Sequence, residues 1–116
     1  MKNVNALVEE KNDMIKKGQI VEASEKFFGK DLKTMDHTGI NTGNKAEMIE
    51  KMKGFAVAIR TVNGITLHYA SNNDKVSFSE WTFDFDMVDG SKILWHEIIR
   101  SVWKDGEIVE EQYFKA

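Results

Sequence analysis

Charged side chains that interrupt apolar faces are the residues of this sequence best suited to chemistry. Lys11 falls on the helical stripe formed by Val4, Val8 and Ile15, where an apolar residue is expected. An ammonium group at a pocket mouth could bind an anionic or carbonyl oxygen. In the alternative, the lysine stem packs on the core while its charged head reaches water. The pattern alone favours that alternative.

The apolar run 92–103 carries polar residues on both of its faces. By alternation Trp95, Glu97 and Trp103 share one face. The other face carries His96, Ile98, Arg100 and Val102. Neither face is cleanly apolar, so we expect one to line a cavity and the other to meet a partner. Glu97 and Glu111 are candidate inward acids; the alternative is that they pair with Arg100 or with lysines on an exposed sheet.

Asp36 and His37 lie near the end of a short, mixed segment, 31–38, that we expect to be extended. A carboxylate at a pocket wall can shuttle a proton, and partial burial would raise its pKa toward a useful range. In the alternative, Asp36 ends the strand in solvent or caps a turn. His37 would point to the opposite face of a regular strand, so both side chains can face one cavity only if a bulge intervenes.

Several chemistries are excluded or disfavoured by what the sequence lacks. There is no cysteine, which excludes disulfides, thiolate metal sites and cysteine nucleophiles. His37, His68 and His96 are isolated, and His96-Glu97 is not followed by the second histidine of a zinc helix motif. No nucleophile elbow, phosphate loop or dinucleotide fingerprint occurs. We therefore expect neither a metal nor a cofactor.

Composition places the chain among ordinary globular proteins. Of its 116 residues 41% are hydrophobic and 30% are charged, and the net charge is −3. The charges are interspersed, without the basic stripe of a nucleic-acid binder. No apolar run approaches the roughly 20 residues that a membrane helix needs. Residues 1–5 lack the apolar core of a signal peptide, so we expect a single cytoplasmic domain that binds neither nucleic acid nor membrane.

The first half of the sequence has helical periodicity. One helix precedes Gly18 and a second, short helix precedes Gly29, since glycine commonly ends helices. A third begins with a capping box formed by Asn44 and Glu47. Its apolar face is Met48, Met52, Phe55 and Ile59. Three N-terminal helices are therefore predicted.

The second half changes to the alternation of strands. Four apolar runs, 65–70, 76–88, 92–103 and 107–115, are separated by short turns, two of which contain Asp-Gly. They predict an antiparallel meander. Helices followed by strands give an α+β fold, in which three helices pack on a strongly curved antiparallel sheet to form a cone-shaped barrel with a cavity inside. Phe78, Ile98 or Val102 would lie on the uncovered face, which predicts a homodimer through the sheet.

Two patches resemble the nuclear transport factor 2 superfamily, particularly its SnoaL-like and ketosteroid-isomerase-like proteins. The C-terminal patch comprises Trp95-His96-Glu97, residues 102–109 and Glu111-Gln112-Tyr113-Phe114, and is similar to the last hairpin of small bacterial SnoaL-like proteins. The other patch, residues 31–36 with Gly39 following, resembles the first strand of ketosteroid isomerases. The resemblance covers nearly the whole chain, 1–116, and implies the same α+β fold.

The resemblance also suggests site residues. In the isomerases the aspartate that matches Asp36 is the proton-shuttling base, so Asp36 is the leading catalytic candidate, with His37 and Lys11. Lys11 occupies the position of a tyrosine in those enzymes, and Ile99 that of their protonated aspartic acid, so the oxyanion-stabilising pair is missing. Steroid isomerisation by that mechanism is therefore not expected. The predicted ligand-binding residues are Phe55, Trp81, Phe83, Trp95, Glu97 and Tyr113.

Two functions follow as expectations. The first is a small-molecule pocket for an apolar, oxygen-bearing ligand, with proton-transfer chemistry of the isomerase, cyclase or dehydratase type. The second is a non-catalytic dimeric binding module whose cavity is filled by side chains. An acidic group inside an open cavity would favour the first, and a filled cone would favour the second.

Overall fold

Three helices and one six-stranded sheet make up the computed structural model, which describes residues 3–116. The helices are α1 (Val4–Lys16), α2 (Ile20–Phe27) and α3 (Lys45–Ala58). The strands are β1 (Phe28–Met35), β2 (Asn41–Gly43), β3 (Ile59–Asn72), β4 (Val76–Met87), β5 (Lys92–Lys104) and β6 (Glu107–Lys115). The predicted α+β class is confirmed.

The helix ends follow local chemistry at two of the three predicted positions. The Asn44 side chain accepts a hydrogen bond from the Glu47 backbone N–H, and the Glu47 side chain accepts one from the Asn44 N–H, which confirms the capping box. Gly18 has a φ of 80° and follows α1, as the sequence predicted. Gly29 does not end α2, because the chain turns into β1 at Phe28 with no loop between them.

The sheet has the strand order β2-β1-β6-β5-β4-β3. The meander β3 to β6 is antiparallel, as predicted. The sheet as a whole is mixed, because β1 lies parallel to β6. It is also open, with β2 and β3 as its edges. The pairing of β3 with β4 has three register shifts, and such irregularities are typical of strongly twisted edges.

The inner face of the sheet packs against the helices. Along β4 every second side chain from Ser77 to Met87 is buried, which confirms the predicted alternation. From the helix side Val8, Ile15, Ala23 and Phe27 complete the core. No helix within residues 3–116 is long and apolar enough to cross a membrane.

Candidate functional site

A cavity of about 440 Å³ lies between the helices and the inner face of the sheet. Its walls are largely apolar and come from every layer of the fold, with Ile20 on α2, Met52 on α3 and Phe85 on β4. The volume falls in the range of small-ligand sites. Polar side chains enter the cavity from α1, β5 and β6.

Aromatic rings form one side of the cavity. Phe55 of α3 packs edge-on against Phe85, with ring centroids 5.7 Å apart. It also stacks on Trp95, at a centroid distance of 5.1 Å and an interplanar angle of 17°. Trp95 is 45% exposed while lining the cavity, so this stacked pair stands at the opening.

Lys11 is the buried centre of a polar network at the cavity wall. Its side chain leaves α1 inward and is only 7% exposed. The ammonium Nζ donates to Oε2 of Glu111 at 3.1 Å and to Oγ of Ser101 at 3.4 Å. Ser101 in turn donates to the same Glu111 oxygen at 2.7 Å. Ser101 and Glu111 are direct partners across β5 and β6, so the sheet register holds both groups opposite the helix.

Tyr113 completes this network. Its hydroxyl donates to Oε1 of Glu111 at 2.8 Å, so both oxygens of that carboxylate are bonded. Burial raises the pKa of Tyr113 well above its usual value, and the negative charge of Glu111 adds to the increase. Tyr113 therefore remains a neutral hydroxyl at every physiological pH.

Glu97 is a half-buried acidic group of the cavity without a partner in the described part of the chain. It lies on β5, half-buried and facing the cavity, and its side chain has no hydrogen bond or ion pair with any residue in 3–116. Burial raises the pKa of Glu97 to about 7, and the nearby charge of Glu111 contributes to the increase. This carboxyl group can therefore either take up or release a proton near neutral pH.

Comparison with known proteins rests on structure, since no protein-family model and no curated protein matches the sequence. A protein from Mesorhizobium loti, proposed to be a SnoaL-like polyketide cyclase, superposes with a TM-score of 0.82 at 17% identity, covering 97% of this chain and 99% of that one. A nuclear transport factor 2-like protein of unknown function from Burkholderia pseudomallei gives 0.76 at 11% identity, covering 100% and 92%.

A third similar structure holds a small molecule. It is a protein from Catenulispora acidiphila with a ketosteroid-isomerase-like fold, in complex with trimethylamine. Its TM-score is 0.68 at 14% identity, and the match covers 89% of this chain and 80% of that one. This chain has the nuclear transport factor 2-like fold. The fold resemblance found in the sequence is thereby confirmed.

In this chain Asp36 and His37 are not among the residues that line the cavity. Asp36 follows the end of β1, and its Oδ1 accepts bonds from the Thr38 N–H at 2.8 Å, the Thr38 hydroxyl at 2.6 Å and the Ile40 N–H at 3.1 Å. These bonds, the hydroxyl foremost, lower the pKa of Asp36. The expected arrangement, with Asp36 and Lys11 facing one cavity, is therefore wrong, because Asp36 caps the turn into β2.

The other predicted site residues divide between the cavity and the layer behind it. Those that line the cavity are Lys11, Phe55, Phe83, Trp95, Glu97 and Tyr113. Trp81 is fully buried and stacks on Phe83 at a centroid distance of 5.7 Å, so it supports the wall rather than lining it. The expectation that the Lys11 head reaches water is also wrong, because the ammonium is buried against Glu111.

Sequence reasoning missed Ser101. It falls on the inward-facing phase of β5, two residues before Trp103 and four after Glu97, so alternation pointed to a small polar group inside. Within residues 3–116 no cluster of three or more His, Asp or Glu is arranged to hold a metal ion.

Proposed function

We propose that the cavity binds a small, apolar, oxygen-bearing molecule and that Glu97 transfers a proton to or from it. The observation that carries this proposal is the unpartnered carboxyl group of Glu97 in an apolar cavity, with its pKa raised to about 7. The reaction class is acid/base catalysis without a cofactor, as in isomerisation, cyclisation or dehydration.

The pKa of Glu97 suits either direction of proton transfer. General acid–base catalysis is most effective when the pKa of the catalytic group lies near the working pH. A carboxylate that has lost part of its hydration and has no cationic partner is also a stronger base than one in water. The two carboxylates therefore have different parts: Glu97 is free to exchange a proton, while Glu111 is held by three donors.

Lys11 would hold the oxygen of the ligand. Two of its ammonium N–H groups donate to Ser101 and Glu111, and no acceptor within residues 3–116 takes the third. Because Lys11 lines the cavity, this third N–H can donate to a carbonyl or hydroxyl oxygen of a bound molecule. A ligand held in this way would present a neighbouring C–H or O–H group to Glu97.

Similar structures support a small-molecule function for this fold. The Mesorhizobium loti protein is proposed to be a polyketide cyclase, and the Catenulispora acidiphila protein was crystallised with trimethylamine. The alternative, a non-catalytic association module with a filled cone, is less favoured because the cone contains an open cavity with an acidic group on its wall.

The elimination of 5-nitrobenzisoxazole tests the proposal without knowledge of the natural substrate. This neutral, apolar molecule loses its ring C–H proton to a base while the N–O bond breaks, and a coloured cyanophenolate forms. We expect the protein to accelerate the reaction, with the rate rising through a midpoint near pH 7. In the variant Glu97→Gln the rate should be at least about tenfold lower than in the wild type.

The matched control is Asp36→Asn, which changes a carboxylate outside the cavity lining and should leave the rate unchanged. A rate that is the same for the wild type and for Glu97→Gln would refute the role of Glu97. Loss of the rate in Asp36→Asn instead would indicate that Asp36 is the base.

A further inference from the structure

The cavity has, within residues 3–116, no buried cation that is free to pair with an anion. Its one buried cation, Lys11, is already paired with Glu111 at 3.1 Å, and the two residues are only 7% and 3% exposed. The other charged residues in the lining are Glu97, which has no cationic partner, and Glu22 and Lys51, which are exposed. The Lys51 ammonium donates to the backbone carbonyl of Thr42 at 2.7 Å.

We infer that Glu111 is a specificity-determining residue, which neutralises Lys11 so that the site accepts uncharged apolar ligands and rejects carboxylates. This inference rests on the proposed ligand-binding function of the cavity and adds the charge class of the ligand. Lys11 remains a hydrogen-bond donor through its third N–H but is not a free counter-ion.

Charge balance gives the physical reason. Moving a carboxylate from water into an apolar cavity is costly unless a cation there compensates for the lost hydration. The attraction of Lys11 is offset by the repulsion of Glu111, which lies at hydrogen-bond distance from the same ammonium. When Glu97 is ionised it adds a second negative charge at the wall. A neutral carbonyl compound avoids both penalties, and its oxygen can still accept a hydrogen bond from the third N–H of Lys11.

The sheet makes this neutralisation a fixed property of the site. Glu111 accepts from Ser101 and Tyr113 as well as from Lys11, so its carboxylate is oriented by two neutral donors. A ligand anion that displaced it would leave a buried carboxylate without its cation. Rejection by an unpaired buried charge is an effective means of discrimination between ligands.

Two probes of the same shape test the inference: 2-naphthamide, which is neutral, and 2-naphthoate, which is an anion. Calorimetric titration at pH 8, where Glu97 is mainly ionised in the wild type, should show naphthamide binding at least about tenfold more tightly. In Glu111→Gln, with Lys11 no longer neutralised, naphthoate should gain at least about tenfold in affinity. Naphthamide affinity should change by a smaller factor than naphthoate affinity in the same variant, because naphthamide carries no net charge.

The double variant Lys11→Met with Glu111→Gln separates charge from shape and guards against misfolding, since neither member of the buried pair is left without its partner. Circular dichroism would verify its folding and that of Glu111→Gln. The double variant should retain the preference for naphthamide. Equal affinity of the wild type for both probes would overturn the inference, as would a gain of naphthoate binding in the double variant equal to that in Glu111→Gln.

If Glu111→Gln does not fold, the wild-type comparison can still refute the inference, because equal affinity for both probes would overturn it. A failure of the proposed function would look different. In that case naphthamide would not bind the wild type at all, whereas failure of the charge inference alone would leave naphthamide bound and naphthoate bound equally well.

Discussion

At the scale of single residues, the two cavity glutamates behave differently because of their partners. Glu111 accepts from Lys11, Ser101 and Tyr113, while Glu97 has no hydrogen-bond partner within residues 3–116. A glutamate is thus held by hydrogen bonds at position 111 and can exchange a proton near neutral pH at position 97. The strands give them different neighbours: Glu111 lies opposite Ser101, which bonds it, whereas Glu97 lies between Trp81 on β4 and the exposed Lys115 on β6, with neither of which it forms a hydrogen bond or ion pair.

The raised pKa of Glu97 makes the stability of the protein depend on pH. Its pKa in the folded state is about 7, above the ordinary value of 4.5, so the folded state binds the proton more tightly than the unfolded state. Stability linked to Glu97 is therefore fully present below pH 4.5 and is lost as the pH rises through about 7. Glu97→Gln, which mimics the protonated form, should be more stable than the wild type at pH 8 by up to about 3 kcal/mol.

Urea unfolding at pH 4, 6 and 8 measures this difference. The advantage of Glu97→Gln should be small at pH 4 and should grow with pH. Glu107→Gln, a change at an exposed position of β6, serves as the control and should differ from the wild type by less than about 0.5 kcal/mol throughout. An advantage of Glu97→Gln that did not vary with pH would show that Glu97 has an ordinary pKa.

The sequence predicted the residues of this site better than their roles. Lys11 stood out because it breaks an apolar helical stripe, and Glu97 because it alternates with tryptophans. Asp36 was predicted as the base through a resemblance, but its side chain is held by local hydrogen bonds. The carboxylate follows a strand and accepts from the backbone N–H groups of Thr38 and Ile40, as aspartates in turns commonly do. The pairing of Lys11 with Glu111 joins residues 100 positions apart, which no local pattern encodes.

At the scale of elements, α3 forms part of the cavity wall. It contributes Met52 and Phe55 to the lining but has no fully buried residue. Its apolar face packs on the core while only partly buried, so the ends of the helix also contribute to its position. The capping box at Asn44 fixes its start, and the chain enters β3 at Ile59 as soon as it ends.

Loss of the α3 cap should destabilise the protein measurably. Asn44→Ala removes the side-chain acceptor of the Glu47 N–H, which lies at 3.0 Å, and should cost about 1 kcal/mol. Gln19→Ala is the matched control, because Gln19 precedes α2 without a side-chain cap and should change stability by less than about 0.5 kcal/mol. Urea denaturation measures both variants. Equal effects of the two substitutions would show that the capping box contributes nothing specific.

Elements with a strong local sequence signal were predicted well, whereas the pairing of strands distant in sequence was not. The capping box and the Asp-Gly turns are short-range signals, so the start of α3 and the antiparallel meander followed from the sequence. The start of β3 did not, since it begins at Ile59, which was predicted on the face of α3, and not at residue 65. The parallel pairing of β1 with β6 is a long-range contact, with Thr34 opposite Glu111. Alternation within β1 gives its faces but not the strand beside it, so the mixed sheet was not predicted.

At the scale of the whole molecule, the sheet has one face covered by helices and one uncovered. The uncovered face carries apolar side chains among charged ones. Tyr69 and Phe78 are 61% and 41% exposed, and Ile98, Val102 and Phe114 are half-buried beside them. The strand register brings these residues together. Ile98 pairs with Phe114, and Phe78 pairs with Arg100, which lies between Ile98 and Val102 along β5. Such a patch favours association between proteins.

Self-association through this outer face is the last prediction. A twofold axis would bury the same patch on both copies, and the Arg100–Glu110 pair within it, at 2.7 Å, supplies both signs of charge for a self-complementary contact. Light scattering at micromolar concentration should give twice the chain mass of 13.3 kDa. Phe78→Glu, which places a carboxylate in the patch, should give the single-chain mass. Val57→Glu, at an 80% exposed position of α3, is the control and should remain dimeric. A wild-type particle of 13.3 kDa would contradict the prediction, and dissociation by Val57→Glu alone would place the contact on the helical side.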